Sequence, residues 1–156
     1  EDYDGDGDQG LYVANDFGRN NLFRNDGGKF VDVAAQSGVE DSASGMAVTW
    51  GDYNRDGNMD VYVSNMFSAA GNRITYQDQF KPDAPQEVRK RLQRFARGST
   101  LMKASGKGSF DDVSEAAGVA IARWAWGTSF ADLNNDGWQD ILVANGNITG
   151  EDPGDL

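Results

Sequence analysis

The chain is built on a repeat. Residues 30–65 (FVDVAAQSGVEDSASGMAVTWGDYNRDGNMDVYVSN) align without a gap on residues 110–145 (FDDVSEAAGVAIARWAWGTSFADLNNDGWQDILVAN) at an offset of 80. The alignment pairs Phe30 with Phe110, Asp32 with Asp112, Gly38 with Gly118, Asp52 with Asp132, Asp60 with Asp140 and Asn65 with Asn145. A further copy opens the chain, where residues 1–15 (EDYDGDGDQGLYVAN) match residues 51–65 at an offset of 50. An insertion over about residues 69–98 reconciles the two offsets and leaves a period of about 50. A unit of that length suits one small sheet, and sheets of that kind stack face to face as propeller blades.

Within each unit the segments are short and bounded by turns. Leu11–Ala14, Met46–Trp50, Val61–Ser64, Ser129–Ala131 and Ile141–Ala144 are apolar or β-prone runs of strand length. Asn25-Asp26-Gly27-Gly28 and Ser105-Gly106-Lys107-Gly108 are hairpin-turn sequences. Strands of the Asn21–Arg24 or Leu101–Lys103 type and of the Phe30–Val33 or Phe110–Val113 type complete a four-stranded unit. The reading is an all-β chain, a fragment of a β-propeller of about two to three four-stranded blades with one inserted α-helix. Residues 1–45 would form a partial blade, 46–118 a complete blade with the insertion, and 119–156 the start of a third.

Composition narrows the chemistry. The 156 residues contain no Cys and no His, which removes disulfides, thiolate nucleophiles, the usual general base and most zinc sites. Oxygen donors remain, and those suit hard cations. No apolar run approaches the ~18 residues of a membrane span, and no leader opens the chain, although Glu1 starts inside a motif and an upstream leader is compatible with that. A net charge of −11 argues against nucleic acid as a partner.

Three segments share one formula. Asp52-Tyr53-Asn54-Arg55-Asp56-Gly57-Asn58-Met59-Asp60 and Asp132-Leu133-Asn134-Asn135-Asp136-Gly137-Trp138-Gln139-Asp140 are complete. Asp2-Tyr3-Asp4-Gly5-Asp6-Gly7-Asp8-Gln9-Gly10 lacks the last carboxylate, with Asp8 as an additional acid nearby. Side-chain oxygens at positions 1, 3 and 5 of a tight loop converge, glycine at 6 allows the reversal, and the carbonyl at 7 faces the same centre. Asp60 and Asp140 at position 9 can close the set. Such a donor set describes Ca2+, with two sites expected and a third possible; Mg2+ would keep more water. Position 12 is Val63 or Val143 where an EF-hand needs a bidentate Glu. Asp, Asn and Gly also dominate ordinary turns, but a plain turn does not need carboxylates at 1, 5 and 9. Removing nine loop aspartates from the 25 acids leaves 16 against 14 bases, so the acidity is mostly ligand.

The D-x-[DN]-x-D-G-x-x-D loops between short strands resemble FG-GAP or VCBS repeats, the calcium-bearing blades of integrin-α-like β-propellers. The strings YVANDFGRNNLFRNDGGKFVDVAAQSGV and GDYNRDGNMDVYVSNMFSAAGNRI look like the bacterial branch related to cartilage acidic protein, whose members often end in an ASPIC/UnbV domain that these residues do not include. The resemblance implies a secreted, periplasmic or cell-surface propeller with loop-bound calcium, used in adhesion, protein contact or assembly. By motif match the ligands fall on Asp52, Asn54, Asp56, Asn58 (carbonyl) and Asp60, and on Asp132, Asn134, Asp136, Trp138 (carbonyl) and Asp140. Asp2, Asp4 and Asp6 follow the pattern, from which Gly10 departs. Family rings have about seven blades, which implies a protein partner, further blades of a longer chain or other subunits to complete one.

Residues 83–98 (DAPQEVRKRLQRFARG) read as a helix, with Asp83 as N-cap, Pro85 in the first turn and Gly98 at the stop. Val88, Leu92, Phe95 and Ala96 form an apolar stripe among Arg89, Lys90, Arg91, Arg94 and Arg97. The basic face reads either as a dock for an acidic partner or anionic polymer, or as a solvated face on a helix packed against its own blade, where a basic helix on an acidic body can simply neutralise nearby aspartates; the second is favoured. Trp50, Trp124, Trp126 and Trp138 invite carbohydrate binding, but Trp50 pairs with Phe130 and Trp126 with Met46 in the repeat, so both are expected in the core. Trp138 is expected at the surface. No glycosidase-like acid pair stands apart from the loops, so no enzyme is expected. The alternatives are an accessory, non-catalytic propeller of a larger enzyme or complex, and a dockerin-like module, against which the spacings of 50 and 80 argue. Blades stacked side by side leave edges uncovered, so an isolated chain is expected to associate.

Overall fold

Three antiparallel sheets follow one another along residues 1–146, the part of the chain that the computed structural model describes. The first joins β1 (Leu11–Val13), β2 (Asn21–Asp26) and β3 (Lys29–Asp32). The four-residue helix α1 (Ala34–Ser37) leads to the second sheet, β4 (Gly45–Gly51), β5 (Asp60–Asn65), β6 (Thr100–Gly106) and β7 (Ser109–Asp112), ordered as in the sequence. The third pairs β8 (Ala125–Ala131) with β9 (Asp140–Asn145). This is the mostly-β, propeller-fragment architecture that the repeat predicts.

The repeat is visible in the register. Gly51 faces Asp60 across β4–β5, and Ala131 faces Asp140 across β8–β9. Each first strand carries a bulge at its start, between Gly45 and Ala47 and between Ala125 and Gly127. That bulge corrects one expectation. Trp126 and its repeat mate Met46 are the bulged residues, and a bulge re-aims the side chain it displaces. Trp126 is accordingly 44% exposed and not in the core.

The main core lies between the first two sheets, with Tyr12, Leu22, Val33 and Val39 against Val61, Val63, Met102 and Phe110. Trp50 packs on its edge, as the repeat predicts. All six residues of β5 are buried, whereas its repeat mate β9 has only half-buried and exposed positions. The middle sheet is covered by a neighbour on each side, which buries both faces of its strands. Gly38 closes α1 at φ 76°, and a Cβ there would lie 2.7 Å from the Phe110 carbonyl oxygen. Both the left-handed backbone and the close approach require glycine.

Between β5 and β6 the chain forms two helices, α2 (Ala69–Thr75) and α3 (Gln86–Arg97), where the sequence predicts one. The Ser68 hydroxyl accepts the Gly71 N–H at 3.0 Å and caps α2. Pro85, not Asp83, stands at the start of α3, with no side-chain cap, and Gly98 ends it at φ 104°. Arg94 and Arg97 point into the blade and neutralise aspartates there, as a basic helix on an acidic body can, so the basic face is not wholly solvated. Arg94 lies 3.0 Å from Asp41, itself 1% exposed, and Arg97 lies 2.7 Å from Asp112. Asp41 also accepts the Thr100 hydroxyl at 2.7 Å and the Asn65 amide at 3.0 Å.

Candidate metal centre

The three Asp-rich loops lie at the same point of their units, each just before the strand that repeats as β1, β5 and β9. Their backbone is set by residues in the left-handed region. Arg55 and Asn135 both have φ 59°, and Gly57 and Gly137 both have φ 86°. In the loop 52–60 the two Asp52 oxygens accept the Asp56 N–H at 3.0 Å and the Gly57 N–H at 2.9 Å. In the loop 132–140 Asp132 accepts Asp136 N–H at 3.1 Å and Gly137 N–H at 2.9 Å. Asn54 and Asn134 each accept the amide at position 5 at 3.1 Å. Asp56 accepts Asn58 N–H at 2.9 Å, and Asp136 accepts Trp138 N–H at 2.8 Å. Sequence identity at positions 1, 3, 5 and 6 thus folds into one local geometry, made twice.

The first loop is a variant. Asp2 accepts Gly5 N–H at 2.9 Å and Gly7 N–H at 3.2 Å. One carboxylate oxygen each from Asp2, Asp4 and Asp6 falls within 4.8 Å of the others, the one such cluster of three acids among the described residues. Burial raises the Asp4 pKa above the usual carboxylate value, with Asp6 and Asp2 adding like-charge repulsion. Asp8 is turned away: its carboxylate accepts the Gly27 N–H of the β2–β3 turn at 2.9 Å. Gly10, where a ninth-position carboxylate would stand, is explained by packing. A Cβ there would meet the Tyr3 ring at 2.7 Å and the Phe23 carbonyl oxygen at 3.1 Å.

Position 9 differs between the complete loops. Asp60 is 0% exposed and is bonded by the Ala104 N–H at 2.8 Å and the Tyr53 N–H at 3.3 Å. Burial pushes its carboxyl up to about 6, against those two bonds and with Asp56 and Asp52 adding to the rise. Asp140 is half-buried and accepts the Leu133 N–H at 3.1 Å. The link from Asp60 to Ala104 ties the loop to β6, and no motif announces it, because the donor is a backbone amide.

Two cations at the loops were also unmarked in the sequence pattern. Lys103 Nζ lies 3.8 Å from Asp56, and the Arg55 guanidinium sits 5.3 Å from the centre of the Trp138 ring. Trp138 is 49% exposed, as expected. The arrangement brings carboxylates and side-chain amide oxygens into each loop. Asp52 and Asp132 accept one amide per oxygen and keep lone pairs for a cation, whereas Asp56 is engaged by the Asn58 N–H and by the side-chain amides of Asn58 and Asn54. The donor types suit a hard divalent ion, and among the described residues three carboxylates draw together only in the first loop.

Comparison with known proteins agrees with this architecture. A family model described as FG-GAP-like repeat matches residues 2–63 and 94–143 and skips the segment that holds α2 and the first part of α3. Over 57 residues the chain is 44% identical to Cartilage acidic protein 1 of Mus musculus, 44% identical to that of Homo sapiens and 42% identical to that of Xenopus tropicalis. The match covers 35% of this chain and 9% of each relative, so the chain spans a small part of the relatives' length. With the family model covering most of the chain, its three sheets and their repeated loops belong to the FG-GAP-like repeat family.

Proposed function

We propose that this chain is a calcium-binding, calcium-stabilised propeller module, without catalysis of its own, that works outside the cytoplasm in adhesion, protein contact or assembly. The observation that carries the reading is the pair of loops 52–60 and 132–140, with the same backbone angles and the same internal bonds at the same point of the repeat. Asp52, Asn54, Asp56, the Asn58 carbonyl and Asp60 would hold one ion. Asp132, Asn134, Asp136, the Trp138 carbonyl and Asp140 would hold a second. Asp2, Asp4 and Asp6 would hold a third, with Asp8 left to its turn. Residues 1–45, 46–118 and from 119 onward then act as successive blades, completed into a ring by further chain or by other subunits.

Packing several like charges into nine residues is unfavourable without a counter-ion. At about 1 mM free calcium and a dissociation constant of about 0.1–1 mM, each site would add ~0.4–1.4 kcal/mol. Sites of this kind suit a calcium-rich compartment, where extracellular modules bind with dissociation constants of about 0.1–1 mM. A thermal melt of the protein in EDTA, in millimolar calcium and in magnesium tests the reading. A rise of several degrees specific to calcium is expected, reduced by D56A and by D136A. No shift, or an equal one with magnesium, would reduce the loops to turns.

A further inference from the structure

We propose that the groove between α3 and the β1–β2 connection is a docking slot for an acidic, amphipathic peptide segment of a partner protein. The β1–β2 connection (residues 14–20) and the insertion between β5 and β6 occupy equivalent places in adjacent sheets. Both lie at the strand ends opposite the metal loops, where backbone bonds such as Asn20 N–H to Asp41 O and Phe67 N–H to Arg123 O knit the connections together. The surface is therefore separate from the metal centre.

The floor of the slot is apolar. Phe17 is 83% exposed, Val88 42% and Phe95 39%, with Leu92 half-buried between them. Val88, Leu92 and Phe95 stand at i, i+4 and i+7 of α3, so one stripe of the helix faces Phe17 across a cavity of about 310 Å³. Three large apolar side chains left open around a half-buried fourth are the kind of patch that marks a binding surface.

The rim supplies the charge. Through Arg91 and Ser42 the slot opens into a second depression of about 580 Å³ that holds Arg19, Lys90 and Arg94 beside Glu40 and Glu87. Arg19 is neutralised by Glu40 at 2.7 Å and Asp32 at 3.0 Å, and Arg94 by Asp41. Lys90 and Arg91 have no ion pair among the described residues. The wider field points the same way. Residues 69–98 hold seven of the 14 basic and three of the 25 acidic side chains, a positive segment in a chain of net charge −11. A free anionic polymer would satisfy Lys90 and Arg91 but not the apolar floor, and an uncharged hydrophobic peptide the reverse. An acidic segment with apolar anchors satisfies both, and its charge would steer it to this end and away from the aspartate loops.

The test uses the full-length protein and a random peptide library displayed on phage. Selected peptides should combine Asp or Glu with Leu, Phe or Trp. The synthetic form of the best peptide should lose about tenfold in affinity or more with K90E/R91E, and likewise with F17S/V88S. Retained melting temperature and unchanged calcium response of both variants would keep the result distinct from misfolding and from the metal sites. Selection of basic or purely apolar peptides, no selection at all, or equal binding of polyglutamate would overturn the proposal. So would self-association that K90E/R91E abolishes, which would make a second copy the occupant. In a parallel measurement F17C should be modified by a maleimide in the folded protein. Protection of that thiol would mean that the protein's own chain covers the slot, and would overturn the proposal as well.

Discussion

Gly10 sets the pattern of the loops against the packing beneath them. By formula an aspartate there would complete the first loop as Asp60 and Asp140 complete the others. The position is closed instead by the Tyr3 ring, which is stacked on Trp50 at 6.0 Å and contacts Phe110 at 6.1 Å. G10D is therefore expected to lower stability by about 1–3 kcal/mol, as overpacking does, in EDTA and in calcium alike. A denaturant titration of G10D would decide it; tighter calcium binding with no loss of stability would mean that Tyr3 yields freely. The shared geometry of the two complete loops was legible because the same residue types at the same spacing build the same turn. The roles of Tyr3, Ala104 and Lys103 were not, since a ring contact, a backbone amide and a cation from another strand leave no mark on loop spacing.

At the scale of elements, the strands were readable and the insertion was only half so. Repetition located every strand named from the sequence, because two copies of a turn-bounded run discriminate better than one. The short α2, interrupted by Gly71, has too little periodicity to announce itself. In α3 the charge pattern allowed for neutralised aspartates but did not say which arginines the fold turns inward or which carboxylates they meet. Arginine is long enough to reach from a helix to carboxylates of other segments, the buried Asp41 before β4 and the partly exposed Asp112 at the end of β7. Burial pushes the Asp112 carboxyl up, but the Ser114 hydroxyl, Arg97, the Ser114 N–H and Arg94 outweigh it and hold it below the usual range. A carboxylate depressed on folding adds stability above its unfolded value of about 3.9 and loses it as pH falls through the lower folded value. D112N should accordingly melt several degrees below the wild type at neutral pH, and the gap should close as pH drops below about 4. Parallel melts across that range provide the check. A gap independent of pH would show that Asp112 acts by shape and not by charge.

Across the whole molecule, the contact between blades is itself a repeated object. Tyr12 meets Trp50 edge-on at 6.3 Å, and its repeat mate Tyr62 meets Phe130 at 6.4 Å. The two hydroxyls donate to matching carbonyls, Tyr12 to Val39 at 2.9 Å and Tyr62 to Val119 at 3.2 Å. One tyrosine from each of the repeat-related strands β1 and β5 thus clasps an aromatic from the first strand of the next sheet and the loop behind it. Stability in such arrays is a sum of unit and nearest-neighbour terms, so the clasp is where cooperativity between blades resides. Trp50 is the stronger joint, since it also meets Tyr3 and Phe110, whereas among the described residues Phe130 meets the ring of Tyr62 alone and belongs to a sheet more open to solvent. W50A should cost up to about 3 kcal/mol, the low end of the range for deleting a large aromatic from a core, since Trp50 is half-buried at its edge. It should also split the calorimetric transition, with the first sheet and its loop melting ahead of the rest. F130A should cost less and keep one transition. The ordering matters more than either value, because a uniform core would lose stability in W50A without losing cooperativity. A single sharp transition for W50A, shifted but not divided, would place the coupling in the backbone bonds between connections and not in the aromatic clasp.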